Sequence, residues 1–128
     1  MKILVGYAGS NLSDKALRLA RERGKSLGAK LYVLHSKVTD LPQREHELDL
    51  QEMEKVRRLL EEEGLLCETY VSIRNMTPGE HLVQFAEENG IDEIIVGVKQ
   101  KSKVGKLLLG STAQHVILHA PCPVVSVP

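Results

Sequence analysis

The sequence predicts a doubly wound α/β domain: a five-stranded parallel sheet in the order 3-2-1-4-5, with helices on both faces. Three observations carry this. Short aliphatic runs alternate with longer amphipathic stretches. Several runs are continuously apolar, as expected of strands buried on both faces. Helix-length segments separate successive runs, and such crossovers imply parallel strands with right-handed connections.

The strands are expected at Ile3-Leu4-Val5, Leu31-Tyr32-Val33-Leu34, Thr69-Tyr70-Val71, Ile94-Ile95-Val96 and Val124-Val125-Ser126-Val127. The third run is the weakest. Between them lie four helical stripes. The first holds Leu12, Ala16, Leu19, Ala20 and Leu27, and the second Met53, Val56, Leu59 and Leu60. The third holds Leu82, Phe85 and Ala86, and the fourth Leu109, Ala113, Val116, Ile117 and Ala120. Each stripe has the spacing that covers one face of a sheet. Thr77-Pro78-Gly79-Glu80 has capping-box spacing, with Pro at the first helical position. Asn11 and Ser13 are candidate N-caps for the first helix. Gly64 and Gly90 fall where helices stop. Pro121 and Pro123 end the fourth helix and confine the last strand to a sheet edge.

Length and composition fit one domain over residues 1–128 and narrow its function. The chain has 128 residues, 17 basic and 17 acidic side chains, no Trp and one Phe. Zero net charge argues against a generally basic nucleic-acid binder, and the scarcity of aromatics argues against a base-stacking platform. Cys67 and Cys122 make neither a disulfide framework nor a four-ligand zinc site. No apolar run approaches the ~20 residues that span a bilayer. The opening Met1-Lys2-Ile3-Leu4-Val5 does not read as a signal peptide. A cytoplasmic protein without nucleic-acid or membrane partners is expected.

In a doubly wound sheet, ligands bind beyond the carboxyl ends of the strands, where the strand order reverses. For this order that point lies between the first and fourth strands. After the first comes Gly6-Tyr7-Ala8-Gly9-Ser10, which reads either as a tight turn or as a place where a ligand meets the backbone. After the fourth comes a segment from Gly97 to Gly110-Ser111 that carries Lys99, Lys101, Lys103 and Lys106 with no acidic residue among them. Residues 65–128 hold one other basic side chain, Arg74, so positive charge is concentrated there. Polyphosphate fits this chemistry: N–H groups at a helix start, the Ser111 hydroxyl and lysines. A solvated basic loop remains the alternative. It is not a Walker A loop, because Gly105-Lys106 is followed by Leu107.

Other groupings carry less. Glu45, His46, Glu47 and Asp49 have no second His at helical spacing and read as a charged helix surface. His115 and His119 are spaced i, i+4, but two ligands are too few for a stable metal site. Cys122 reads as a small hydrophobe before a buried strand. No catalytic residue and no metal ligand is assigned.

The chain resembles the universal stress proteins, the UspA-like family. The resemblance runs over nearly the whole length and rests on quotable segments. These are the Gly-Ser turn after the first strand, Leu34-His35 at the end of the second, Ile94-Ile95-Val96-Gly97, Leu109-Gly110-Ser111, and His119-Ala120-Pro121-Cys122-Pro123-Val124-Val125. It implies an adenine-nucleotide-hydrolase-like fold and a homodimer paired through Val124, Val125, Ser126 and Val127. It also implies a nucleotide site built from Tyr7, Ala8, Ser36, Gly97, Lys99, Gln100, Gly110, Ser111 and Thr112, holding ATP or a related nucleotide with Mg²⁺. Ser36 would contact adenine through its backbone. The family's ATP signature is similar to glycine, two residues, glycine, nine residues, then glycine and a small hydroxyl residue. Gly97, Gly110 and Ser111 match it. Gln100 stands at the middle glycine, and Ala8 stands where the family's acidic residue contacts the nucleoside. Each lost ligand contact costs about 1–3 kcal/mol. Three functions remain open on this basis: a nucleotide-binding stress-response module, a dimeric protein-interaction module that binds no nucleotide, and a slow ATPase.

Overall fold

The computed structural model describes residues 1–8, 11–37, 43–98 and 109–128. Five strands form one sheet: β1 (Lys2–Gly6), β2 (Lys30–Lys37), β3 (Cys67–Ile73), β4 (Glu93–Gly97) and β5 (Val124–Val127). All pairings are parallel and the order is β3-β2-β1-β4-β5. The expected order is therefore the observed one. β3 is longer than the expected core of three residues, because its pairing with β2 runs from Cys67 to Ile73. Four helices connect the strands: α1 (Asn11–Leu27), α2 (Gln43–Glu62), α3 (Pro78–Asn89) and α4 (Ser111–His119).

Strand alternation divides the core in two. Ile3, Val5, Leu31 and Val33 face one side with Ala16, Ala20, Met53, Val56 and Leu60 of α1 and α2. Leu4, Tyr32, Leu34, Ile94 and Val96 face the other with Leu82, Phe85, Ala86, Ala113 and Val116 of α3 and α4. Successive side chains of a strand point to opposite faces, so a strand serving both layers must be apolar throughout. This is why β1 and the first half of β2 read as unbroken aliphatic runs. α1 and α2 wind the chain outward to β3. α3 then carries it back across β2 and β1 to β4, and right-handedness puts that return on the opposite face. β1 and β4 thus lie side by side with their following helices on opposite faces.

The helix signals work as read at α3. The Thr77 hydroxyl accepts from the Glu80 N–H at 3.2 Å, and the Glu80 carboxylate accepts from the Thr77 N–H at 3.3 Å. Gly90 ends the helix in the left-handed region at φ 61°, which suits glycine because it has no Cβ. Gly64 likewise follows α2 with φ 79°. Gly28, with φ 62°, stops α1 in the same way and escaped the sequence reading.

Several expectations need correction. α1 already includes Asn11 and Ser13, so neither is its N-cap; Ser13 instead accepts from the Ala8 N–H at 2.7 Å. Leu27, Leu59, Leu109 and Ile117 are exposed rather than core. Leu27 is the last residue of α1, and Leu109 precedes α4. Leu59 and Ile117 sit about 100° round the helix from buried Leu60 and Val116, outside the covered stripe. β5 is half-buried, not buried, because β4 pairs with one of its edges only.

Charges are placed at the surface and the layer margins. Arg23 of α1 forms a two-pronged pair with Glu93 at the start of β4, at 2.5 and 2.6 Å. On α2, Arg57 pairs with Glu54 and Glu61. Such exposed pairs contribute little to stability.

Candidate functional site

At the β1/β4 switch point lies a cleft of about 300 Å³. Its floor is the carboxyl end of the sheet: Gly6, Tyr7 and Ala8 after β1, Leu34 and Ser36 of β2, Val96 and Gly97 of β4. Its walls come from Pro78 and Leu82 of α3 and from the first turn of α4, Gly110 to Ala113. Seven sequence-predicted positions (Tyr7, Ala8, Ser36, Gly97, Gly110, Ser111 and Thr112) are brought to this one cleft. Lys99 and Gln100 lie outside the described residues, as do Gly9, Ser10 and the other loop lysines.

The two helix starts at the cleft differ. At α3 the capping box already occupies the N–H groups of Thr77 and Glu80, and Pro78 has none to offer. At α4 the N-cap is Gly110, extended at φ −67° and ψ 161°, with no side-chain cap. The first-turn N–H groups of α4 therefore keep their donor capacity and the positive end of the helix dipole. The Ser111 side is exposed and Thr112 half-buried, so both hydroxyl residues stand at the rim. No carboxylate is among the described residues of the cleft. The donor set of α4 fits an anion, and the apolar walls of Leu34, Leu82, Pro78 and Val96 fit a flat organic group.

Tyr7 enters the site through its main chain. Its N–H donates to the Leu34 carbonyl at 2.9 Å, and its phenol donates to Glu52 of α2 at 2.9 Å. The ring packs edge-on to His35 in the α1/α2 layer. Burial first, then Glu52, push the phenol well above its ordinary pKa, so it stays neutral. Gly6 makes room for the wall: a Cβ there would lie 3.0 Å from Leu82 Cδ1.

The Ser36 side chain makes a contact of its own. Its Oγ lies 2.7 Å from Nδ1 of His81 on α3. His81 is 1% exposed, and burial, with Arg74 second, lowers its pKa. Sequence reasoning missed His81, which meets Ser36 from α3, and missed Ser13, Pro78 and Leu82 as parts of the cleft. The signal was present: His81 is four residues before Phe85, on the stripe already assigned to the core.

The remaining candidates are not among the residues that line the cleft. Among the described residues no group of three His, Cys, Asp or Glu could hold a metal. The His115 and His119 rings lie 4.4 Å apart, and His115 packs against Gly79 of α3. Cys122 is half-buried, and burial raises its thiol pKa, as for Cys67.

A doubly wound sheet with an uncapped helix start and a small-residue turn meeting at its switch point defines a class: α/β domains with a ligand cleft suited to anions. The family within that class follows from comparison. The model of the Universal stress protein family matches residues 1–128, and the chain belongs to that family. It is 34% identical over 133 residues to a universal stress protein of Thermus aquaticus, covering 98% of this chain and 96% of the relative. It superposes on the universal stress protein of Archaeoglobus fulgidus with TM-score 0.83 and 28% identity, covering 100% of this chain and 98% of the other. A structure of the Archaeoglobus fulgidus universal stress protein in complex with dAMP matches with TM-score 0.81 and 25% identity, covering 100% and 98%.

Proposed function

We propose that the chain is a nucleotide-binding regulatory module of the stress response, which takes ATP or a related nucleotide in the β1/β4 cleft. The observation that carries this reading is the uncapped α4 start on the rim of a cleft with apolar walls. Phosphate would meet the N–H groups of the first turn of α4 and the Ser111 and Thr112 hydroxyls, with Lys99 and Gln100 contributed from the preceding loop. The base would lie toward Leu34, Ser36 and Leu82. The dAMP complex of the Archaeoglobus protein supports a nucleotide as the ligand class. Mg²⁺ would arrive on the phosphates, since the described cleft residues offer no carboxylate to hold it. The same lack of a carboxylate favours binding over hydrolysis, which needs an oriented water. Homodimerisation through Val124–Val127 would cover the open edge of β5. A cytoplasmic location accords with this role.

Calorimetry and thermal melts with Mg-ATP test the reading. Ligand at a hundred times Kd stabilises by about 2.7 kcal/mol. Absence of both heat and stabilisation at millimolar Mg-ATP rejects it. One observation favours a second reading, a protein-interaction dimer without nucleotide: Ala8 brings a methyl group, not a carboxylate, to the cleft. On that reading Ala8→Asp with Gln100→Gly creates nucleotide binding absent from the wild type.

A further inference from the structure

We propose that His35 is a proton-sensitive latch on the nucleotide cleft: neutral His35 holds the Tyr7 turn in its binding position, and the imidazolium releases it. The inference rests on the nucleotide reading and deepens it by naming how that site is regulated.

Tyr7 joins two layers. Its main chain forms part of the cleft floor with Gly6 and Ala8, and its side chain lies in the α1/α2 layer. His35 alternates with Val33 on β2 and so faces that same layer. The two rings meet edge-on, with centroids 5.9 Å apart and planes at 76°. Three bonds fix the turn: the Tyr7 N–H to the Leu34 carbonyl, the phenol to Glu52, and the Ala8 N–H to Ser13. His35 supports this turn by packing. It is 5% exposed, and its Nδ1 is buried with no hydrogen-bond partner among the described residues.

Charged and titratable groups face His35 from the elements around it. β2 supplies Lys37, α2 supplies Asp49 and Glu52, and the turn after β1 supplies Tyr7. Asp14 of α1 acts on Tyr7, and His46 stands one turn before Asp49 on α2. The β3 partner in register is the apolar Val71. Lys37 lies 3.3 Å from Asp49, pairing charge without a directed hydrogen bond.

A neutral imidazole carries one N–H and the imidazolium two. Whichever nitrogen held the first proton, the imidazolium therefore has a donor at Nδ1. Among the described residues nothing accepts it, and a buried charged donor without an acceptor is costly. Lys37 already offsets Asp49. Turning toward Glu52 competes with the Tyr7 phenol and displaces the ring packed on His35. The turn moves with its ring, so the cleft floor is intact only while His35 is neutral. Burial first, then Lys37, lower the His35 pKa below its ordinary value of 6.5. Nucleotide binding is thus complete above pH 6.5 and is lost as pH falls through the lowered value. The imidazolium would also attract phosphate. From β2 to the α4 start is two strand spacings, roughly 10 Å, and physiological salt screens that attraction.

The test is calorimetric titration of the full chain with Mg-ATP at pH 7.5 and 5.0, for wild type and His35→Gln. Gln is polar and uncharged at both pH values. The wild-type Kd should rise at least about fivefold in acid relative to the variant, as when about a fifth of the chains keep His35 neutral. Titration of the nucleotide itself, and of His81 beside Ser36, is common to both proteins and cancels in that comparison. Proton NMR of the wild type gives a second reading if His35→Gln fails to fold. The His35 ring signal, assigned through its proximity to Tyr7, should titrate at lower pH with saturating Mg-ATP than without, because linkage is reciprocal. An equal loss of affinity in both proteins overturns the latch. So does a wild-type affinity that is flat or tighter in acid relative to the variant, or a His35 titration that Mg-ATP leaves unmoved. Absence of binding at pH 7.5 is a different result, and overturns the nucleotide reading together with this one.

Discussion

Gly79 of α3 lies against His115 of α4, between the two helices that wall the cleft. It is the second residue of α3 and is buried. A Cβ added there would lie 2.9 Å from His115 Cβ and 3.3 Å from its Cγ and Cδ2. Ordinary carbon contacts are about 3.5–4.0 Å, so the shortfall is roughly 0.6–1 Å. The nearest atom is a Cβ, which cannot swing aside, so α3 and α4 must separate. Overpacking of this kind costs about 1–3 kcal/mol. Gly→Ala offsets part of this by about 0.4–1 kcal/mol through lost freedom of the unfolded chain. The net expectation for Gly79→Ala is a loss of about 1 kcal/mol, and for the bulkier Gly79→Val about 2–3 kcal/mol. For a chain of this length each kcal/mol lowers Tm by about 3–5 °C. Urea and thermal melts give the values. His115→Ala removes the 3.3 Å contacts but leaves the closer Cβ and gives only partial relief, whereas His115→Gly removes both and should rescue Gly79→Ala more fully relative to its own background. Stability of Gly79→Ala at or above wild type, or rescue by His115→Ala equal to that by His115→Gly, refutes the packing argument.

Further outcomes follow from the site and the charges. Gly110→Asp should raise stability by a few tenths of a kcal/mol as a better N-cap, yet weaken Mg-ATP binding more than tenfold by occupying the α4 donors and repelling phosphate; calorimetry beside melts would show these opposite signs. Ala8→Asp should strengthen Mg-ATP binding by roughly five- to a hundredfold, the worth of about 1–3 kcal/mol from one added charge-assisted contact; unchanged affinity removes Ala8 from the nucleoside contacts. Burial lowers the pKa of both His35 and His81, so the unfolded chain takes up protons first, near pH 6.5. Their contribution is present above that pH and is lost as pH falls from it toward the lower folded values, so Tm should drop between pH 7.5 and 5.5. A flat Tm over that range opposes the assignment. Val125→Arg on the edge strand should convert a dimer to a monomer in sedimentation; an unchanged sedimentation coefficient rules out pairing through β5.

The sequence by itself determined the strand number, the parallel winding and the place where the ends of β1 and β4 meet. These depend on local quantities: apolar period, segment length and the Thr77, Gly64 and Gly90 stop and start signals. It also brought forward Gly97, Gly110 and Ser111, because small residues between a strand and a helix have few other uses. It was less reliable at margins. Leu59 and Ile117 have a helical spacing that fits the core, but which side of a stripe is covered depends on how the sheet lies under the helix. Only the tertiary structure decided that Ser36 meets His81, 45 residues apart in sequence. Crossing from β3 back to β4 carries α3 over β2, and no local pattern encodes that encounter. The same return sets Gly79 against His115 and leaves α4, not α3, as the helix whose first turn is open. Period and propensity act within one element, whereas a cleft is made where separate elements meet.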